Sequence, residues 1–367
     1  MIFEILLIAV LVTAACTVPG VFLVLRKMSL LSDAISHSVL FGIVISFFLV
    51  NSFHSPLLVI GAVATGIITV VISEMLLRTG LLKEDASIGL VFPALFSVGV
   101  ILISKFADDI HLDTDAVLMG EIAMAPFDRF FLGSFDAGPV SAWVMGGIAL
   151  LNFVFLGIFY KELKISTFDA GLSAALGFSP AIIHYSLMTL VSITTVGAFD
   201  SVGSILVVAL MIAPAASAYL LTDKLSKLIL YSLLLGILSS AIGVLIAFII
   251  NASIAGSIAS ACGLMFLASY LASPKYGIIS KWYIQRDRKL VFASYMVAVH
   301  LLAHEGTENE EDESEISQLT EHLRWPSLFA AKVVATGIRE HLFIRDDLKL
   351  RLTPLGRETA RSLMEKG

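Results

Sequence analysis

Only two cysteines occur in the 367 residues, Cys16 and Cys262, and both sit inside apolar runs. That scarcity excludes a disulfide framework and a thiolate zinc cluster. Charge is scarce as well. Asp, Glu, Lys and Arg make up 15% of the chain, whereas soluble domains carry about 25%. The net charge of −6 gives no whole-chain sign of nucleic-acid binding. No Gly-x-x-x-x-Gly-Lys-Ser/Thr stretch is present, so the chain has no such loop to cradle the phosphates of ATP. What remains is apolar sequence: 57% of residues are hydrophobic and the mean hydropathy is +0.92. Long uninterrupted apolar stretches mark membrane spans, so the fold class is an all-α polytopic membrane protein.

Nine apolar segments are read, at about 2–24, 32–50, 56–77, 87–104, 139–160, 181–198, 201–222, 228–250 and 255–273. Each approaches the ~20 residues a helix needs to cross the hydrocarbon core. The sixth and seventh are separated only by Phe199-Asp200-Ser201, so one of them is expected to be re-entrant or broken. Residues 1–277 hold 11 Lys/Arg and 16 Asp/Glu, and the last 90 residues hold 13 and 14. This shift divides the chain into a transmembrane domain, 1–277, and a soluble domain, 278–367.

With the N-terminus outside, the cytoplasmic connections hold Arg26, Lys27, Arg78, Lys83, Lys161, Lys164, Lys224, Lys227 and Lys275. The outer connections hold only Lys105 and Arg129. That asymmetry is a positive-inside bias and places the tail in the cytoplasm. The first segment opens on Met1-Ile2-Phe3-Glu4, and its basic residues follow the apolar run, the pattern of a retained first span.

Two stretches stand out. "MSLLSDAISHSVLFG" (28–42) places Asp33 and His37 on one helical face, roughly 6 Å apart along the axis. The plain reading is a helix-start carboxylate favoured by the macrodipole beside an interfacial histidine. The functional reading is a divalent-cation site, because carboxylate and imidazole suit Mn²⁺, Fe²⁺ and Zn²⁺. "YKELKISTFDAGLSAALGFSP" (160–180) is a cytoplasmic connection with a helix-prone core from Asp169 to Leu176, and Gly177 is placed to end it. On spacing alone it is an ordinary loop helix.

Taken together, "LRKMSLLSDAISHSVLFGIVISFF", the 160–180 stretch, "AFDSVGSILVVALMIAPAASAYLL" (198–221) and "LMFLASYLASPKYGI" (264–278) resemble the permease subunits of manganese/zinc/iron ABC importers. The resemblance covers about residues 5–277; Phe41 stands where that family usually has proline. It implies that Asp33 and His37 contribute to the metal site of the translocation path. It also implies that Asp169, Leu172, Ala175, Leu176 and Gly177 belong to a coupling helix docking in a groove of a cytoplasmic ABC ATPase subunit. The further implications are a second permease subunit, the same or homologous, and an extracytoplasmic metal-binding protein. The chain would then sit in a bacterial inner membrane, hydrolyse no ATP itself, and hold no permanent cofactor, only the transported Mn, Zn or Fe ion. The alternatives are a secondary ion-coupled metal transporter and a membrane-anchored metal-responsive regulator.

Other charged groups read more plainly. The outer connection 105–138 carries Asp108, Asp109, His111, Asp113, Asp115, Glu121, Asp128 and Asp136, a solvated acidic loop, or else a cation-attracting or docking surface. Its middle, "AVLMGEIAMA", fits a short re-entrant or interfacial helix. Glu74, His184 and Asp200 fall near span ends, where headgroups and water reach them.

In the tail, "DRKLVFASYMVAVHLLAHEG" reads as a helix and "TENEEDESE" as a solvated acidic run. Two further helices, a hairpin turning at Asp346-Asp347, and a last helix capped by Thr353 with Pro354 first complete a winged-helix order. With "LTPLGRETA" it resembles the DNA-binding part of metal-dependent repressors. Arg324, Lys332, Arg339, Lys349 and Arg351 are basic candidates, but basic and acidic residues nearly balance there, a weak footprint for duplex DNA. A regulatory or interaction role is therefore preferred over DNA binding, with His300, His304, Glu305 and His341 as candidate sensor ligands.

Overall fold

The computed structural model describes residues 1–52, 55–106, 121–132, 135–274, 276–307, 310–316 and 325–365. It divides into two compact units, Met1–Ser273 and Pro274–Gly367.

The first unit is built from α1 (Ile2–Leu25), α2 (Leu30–Val50), α3 (Pro56–Arg78), α4 (Glu84–Phe106), β1 (Arg129–Leu132), β2 (Phe135–Pro139), α5 (Val140–Ile158), α6 (Tyr160–Phe168), α7 (Ala170–Ala175), α8 (Pro180–Val202), α9 (Ser204–Leu221), α10 (Leu225–Ile250) and α11 (Ile254–Ala272). Among the described residues nine helices, α1–α5 and α8–α11, are long and apolar enough to cross a membrane. Several start on sequence signals. Ser55 and Ser179 cap α3 and α8, each with proline first in the helix, and Ser253 caps α11. Contrary to expectation neither the sixth nor the seventh span is broken: Gly203, at φ +78°, separates two unbroken helices. Helix α9 continues through Pro214, and α2 runs uninterrupted through Phe41.

Helix α1 packs against α5, α8, α9 and α10 and is the most enclosed span, whereas α2 packs mainly on α3 and α4. The α2–α3 contact depends on absent side chains, since a methyl group at Gly42 would overlap the Gly61 carbonyl. Hydrocarbon supplies no hydrogen-bond partner, so a freed backbone group must be satisfied from within. Pro19 lies inside α1 and has no N–H to offer the carbonyl four residues back, Ala15. The Asn152 amide, fully buried on α5, donates to that carbonyl at 2.7 Å and to Thr194 Oγ1 at 2.9 Å.

Between α4 and α5 the described part of the connection is an antiparallel hairpin, β1–β2. Arg129 Nη1 reaches Glu4 at 2.9 Å, and Arg129 Nε lies 2.6 Å from Asp136. The Arg129 guanidinium, with the Gly138 N–H, holds the Asp136 carboxyl below the ordinary carboxylate range. Asp108, Asp109, His111, Asp113 and Asp115 lie outside the described residues. Of "AVLMGEIAMA" only the end is described, a turn running into a short 3-10 turn, Ala125–Phe127.

The second unit comprises α12 (Ile278–His304), α13 (Glu310–Glu313), α14 (Ser327–Arg339), β3 (Phe343–Asp346), β4 (Lys349–Leu352) and α15 (Pro354–Met364). The hairpin pairs Phe343 with Leu352 and Asp346 with Lys349. Thr353 caps α15 through the Gly356 N–H at 3.0 Å. Val297, Val333, Phe343, Leu350 and Ala360 form its core. The helix expected over 316–325 lies almost entirely outside the described residues.

The proline–asparagine pair makes a prediction. Asn152→Leu leaves the Ala15 carbonyl unsatisfied and should destabilise the purified protein by about 1 kcal/mol. Adding Pro19→Ala restores an N–H to that carbonyl and should recover most of the loss. Thermal unfolding of the single and double variants in detergent measures both, and a double variant no better than Asn152→Leu would contradict the assignment.

Candidate metal site in the membrane

Asp33 and His37 sit on the first two turns of α2, and His37 Nε2 lies 3.5 Å from Asp33 Oδ1. Their side chains are 42% and 38% exposed, although the flanking Ser32, Ala34, Ile35, Ser36 and Ser38 are buried. Leu30, Ile45 and Leu49 continue the same open stripe along the helix. The imidazole is flanked by two aromatic rings of α4, stacked on Phe92 at 5.8 Å and edge-on to Phe96 at 6.3 Å. Both groups therefore share one face that the described residues leave partly uncovered. A carboxylate oxygen and an imidazole nitrogen at this spacing supply two of the ligands a divalent cation takes.

A polar network lies where α1 gives way to α2. The chain turns there through a left-handed Lys27 (φ +63°), with Met28 N–H bonded to the Leu23 carbonyl, and Arg26 points away from the turn. Arg26 Nε donates to Thr167 Oγ1 of α6 at 3.2 Å, and Arg26 Nη1 lies 3.0 Å from His184 Nδ1 of α8. Because arginine only donates, Nδ1 accepts and the ring proton sits on Nε2, which faces Glu74 Oε1 of α3 at 2.6 Å. Tyr185 Oη donates to Glu74 Oε2 at 2.7 Å. Glu74 and His184 thus answer one another instead of headgroups, correcting the expectation for both. Their separation in sequence hid the pairing; the visible signal was two ionisable residues inside apolar helices. Asp200 is exposed near the end of α8, as a span-end residue should be.

The 160–180 connection folds as α6 and α7. Asp169 Oδ1 accepts the Leu172 N–H at 2.8 Å and caps α7. Gly177 adopts φ +87° and, with Phe178, returns two N–H groups to the Ala174 and Ser173 carbonyls. Leu172 and Leu176 are 49% and 55% exposed, and Ala175 and Phe168 are exposed beside them, an apolar surface on a capped, rigid turn. In the tail, His300 and His304 lie ring to ring on α12, whereas Glu305 is bound to Arg357 and His341 occupies a left-handed turn after α14.

A bundle of apolar helices that buries small polar groups and leaves an ionisable pair on an open helix face is the architecture of a membrane permease. The ABC 3 transport family model matches residues 1–273. The chain is 47% identical over 367 residues to the zinc transport system membrane protein TroD of Treponema pallidum, covering 100% of this chain and 99% of that protein. It is 44% identical over 281 residues to the manganese transport system membrane protein MntD of Bacillus subtilis, covering 76% of this chain and 95% of that one. In solved structures it is similar to PsaBC from Streptococcus pneumoniae in complex with Fab, with TM-score 0.60 and 31% identity over 74% of this chain and 92% of that chain. The chain belongs to the ABC 3 transport family. It is a multi-pass inner-membrane protein and a non-catalytic permease subunit.

Glu74→Leu should leave the His184 Nε2 proton and the Tyr185 hydroxyl without their acceptor and cost about 2 kcal/mol of stability. Asp200→Asn, at an exposed position, should stay within about 0.5 kcal/mol of the parent. Thermal melting of both variants in the same detergent tests the contrast, and equal melting temperatures would remove the structural role given to Glu74.

Proposed function

We propose that this permease carries a divalent transition-metal ion, of the manganese, zinc or iron class, through a path it forms with a second permease subunit. The observation that carries the reading is the half-exposed Asp33–His37 pair inside an apolar span. Ionisable groups facing lipid cost several kcal/mol, so they face a bundle interior or a water-filled cavity. The open stripe of α2 is therefore the side that meets the second subunit, and the pair lines the path between them. The names of the zinc and manganese relatives support the cargo class.

In this reading the N-terminus lies outside, as the basic residues argue, and an extracytoplasmic binding protein delivers the metal. The Asp33 carboxylate and the His37 imidazole take it from its water shell, and Phe92 and Phe96 hold the ring in place. ATP is hydrolysed by partner ATPase subunits, whose groove receives Leu172 and Leu176 of the α7 turn. Movement of α6 and α7 reaches α2 through Arg26, which is bonded to Thr167 and stands next to the turn that leads to Asp33. The tail, with α12, α14, the β3–β4 hairpin and α15 in order, supports a winged-helix module serving regulation or protein interaction. DNA binding is the alternative for it.

Two measurements bear on this. Asp33→Ala and His37→Ala should each reduce uptake of radioactive Mn²⁺ or Zn²⁺ by at least about tenfold, with assembly and expression retained. Wild-type uptake in both variants would sink the metal path. Leu172→Asp or Leu176→Asp should lower ATPase co-purification, or leave hydrolysis running without transport. Variants that keep both assembly and coupled transport would show that another surface receives the ATPase.

A further inference from the structure

The unit after the spans brings together three side chains that the transport path does not use. His300 and His304 lie one turn apart on α12 with ring centroids 4.7 Å apart. Glu313, at the end of α13, reaches back across the connection so that its Oε2 lies 3.2 Å from His300 Nε2. One ligand atom from each of the three lies within 4.8 Å of those of the others. All three side chains are partly buried, His300 at 19% and Glu313 at 17% exposure.

We propose that His300, His304 and Glu313 form a second divalent-metal site, separate from the membrane path. Two histidines at i and i+4 present both imidazoles from one helix face, and a carboxylate from another segment completes a two-histidine, one-carboxylate set. Ligand atoms around a tetrahedral zinc stand roughly 3.3 Å apart. His300 and Glu313 already have that spacing, and the ligand atoms of all three lie within 4.8 Å of one another. The donor set contains no sulfur, so it takes Zn²⁺, Mn²⁺, Fe²⁺ or Co²⁺ and not Cu⁺.

The neighbourhood suits a site that exchanges its ion. A cavity of about 410 Å³ opens beside it, lined by Leu301, His304, Glu313, Lys349 and Arg357 among others. It leaves room for a water or an exogenous ligand on the metal. One cation lining that cavity is already answered: Arg357 Nε holds Glu305 at 2.8 and 3.1 Å, and this hydrogen bonding keeps the Glu305 carboxyl below its usual range. Glu305 is thus a charge partner and not a ligand.

The site also has a mechanical output. Immediately after Glu313 the chain adds to the hairpin, with Leu350 N–H bonded to the Ser314 carbonyl at 2.9 Å and Ile316 N–H to the Leu348 carbonyl at 3.0 Å. An ion joining Glu313 to α12 therefore ties α12 to the β3–β4 hairpin. That is how a cytoplasmic metal level would reach the surface of the module.

The test uses full-length protein in detergent at pH 7.5 with Co²⁺ as the probe, whose visible absorption reports its coordination. Four chains are compared: the parent, Asp33→Ala/His37→Ala, and that double variant carrying in addition either His300→Ala/His304→Ala or Glu313→Gln. The Asp33→Ala/His37→Ala chain should still bind one Co²⁺, displaced by Zn²⁺. In that same background, His300→Ala/His304→Ala or Glu313→Gln should weaken it more than about tenfold. Glu313→Gln keeps the shape of the connection, so it decides the matter if the double histidine variant does not fold. A Co²⁺ spectrum and affinity unchanged by either set of substitutions, or no Co²⁺ held by the Asp33→Ala/His37→Ala chain, would overturn the proposal. Neither result depends on whether Asp33 and His37 carry transported metal.

Discussion

Hydrocarbon offers no hydrogen bonds, and the membrane unit is arranged around that constraint. Several polar groups within it are answered by another part of the chain, and the Asp33–His37 pair lies on a face that a partner can cover. Asn152 answers the carbonyl freed by Pro19. Thr69 Oγ1 donates to Ser38 Oγ at 2.8 Å between α3 and α2, and Thr13 meets Ser240 at 2.7 Å between α1 and α10. Glu74, His184, Tyr185 and Arg26 answer one another across three segments. Asp33 and His37 differ from these groups because, among the described residues, their side chains stay 42% and 38% exposed. Their exposure is informative for that reason.

Much of this was legible in the primary structure because it depends on short-range signals. Span number and position follow from apolar length, which the bilayer thickness dictates. The ends of α7 follow from Asp169 and Gly177, a side-chain cap and a left-handed residue within one turn of the helix they bound. The same holds for Thr353 and Pro354 at α15. Asp33 and His37 stood out because their four-residue spacing is a helical property readable without a fold.

What stayed hidden depends on tertiary approach. Nothing local tells Asn152 that its partner is Ala15, or Glu74 that its partner is His184, since each pair is joined only when distant spans pack. Phe92 and Phe96 look like any aromatic residues of an apolar helix until α4 lies beside His37. Glu313 was concealed in another way. It sits within an acidic run whose composition reads as solvated, and only the fold of the connection turns one of those carboxylates toward two imidazoles.

The junction between α8 and α9 has a consequence for how the protein is made. A single residue, Gly203, joins two full spans, too little chain for either to settle in the bilayer while the other waits in water. The pair should leave the insertion machinery as one helical hairpin. In the orientation proposed above its tip is carried outward, and the only charge near that tip is Asp200. An inside-negative potential drives a carboxylate in that direction, by about 2.3 kcal/mol per 100 mV for a full crossing. The near-absence of basic residues at this turn therefore assists biosynthesis as well as orientation.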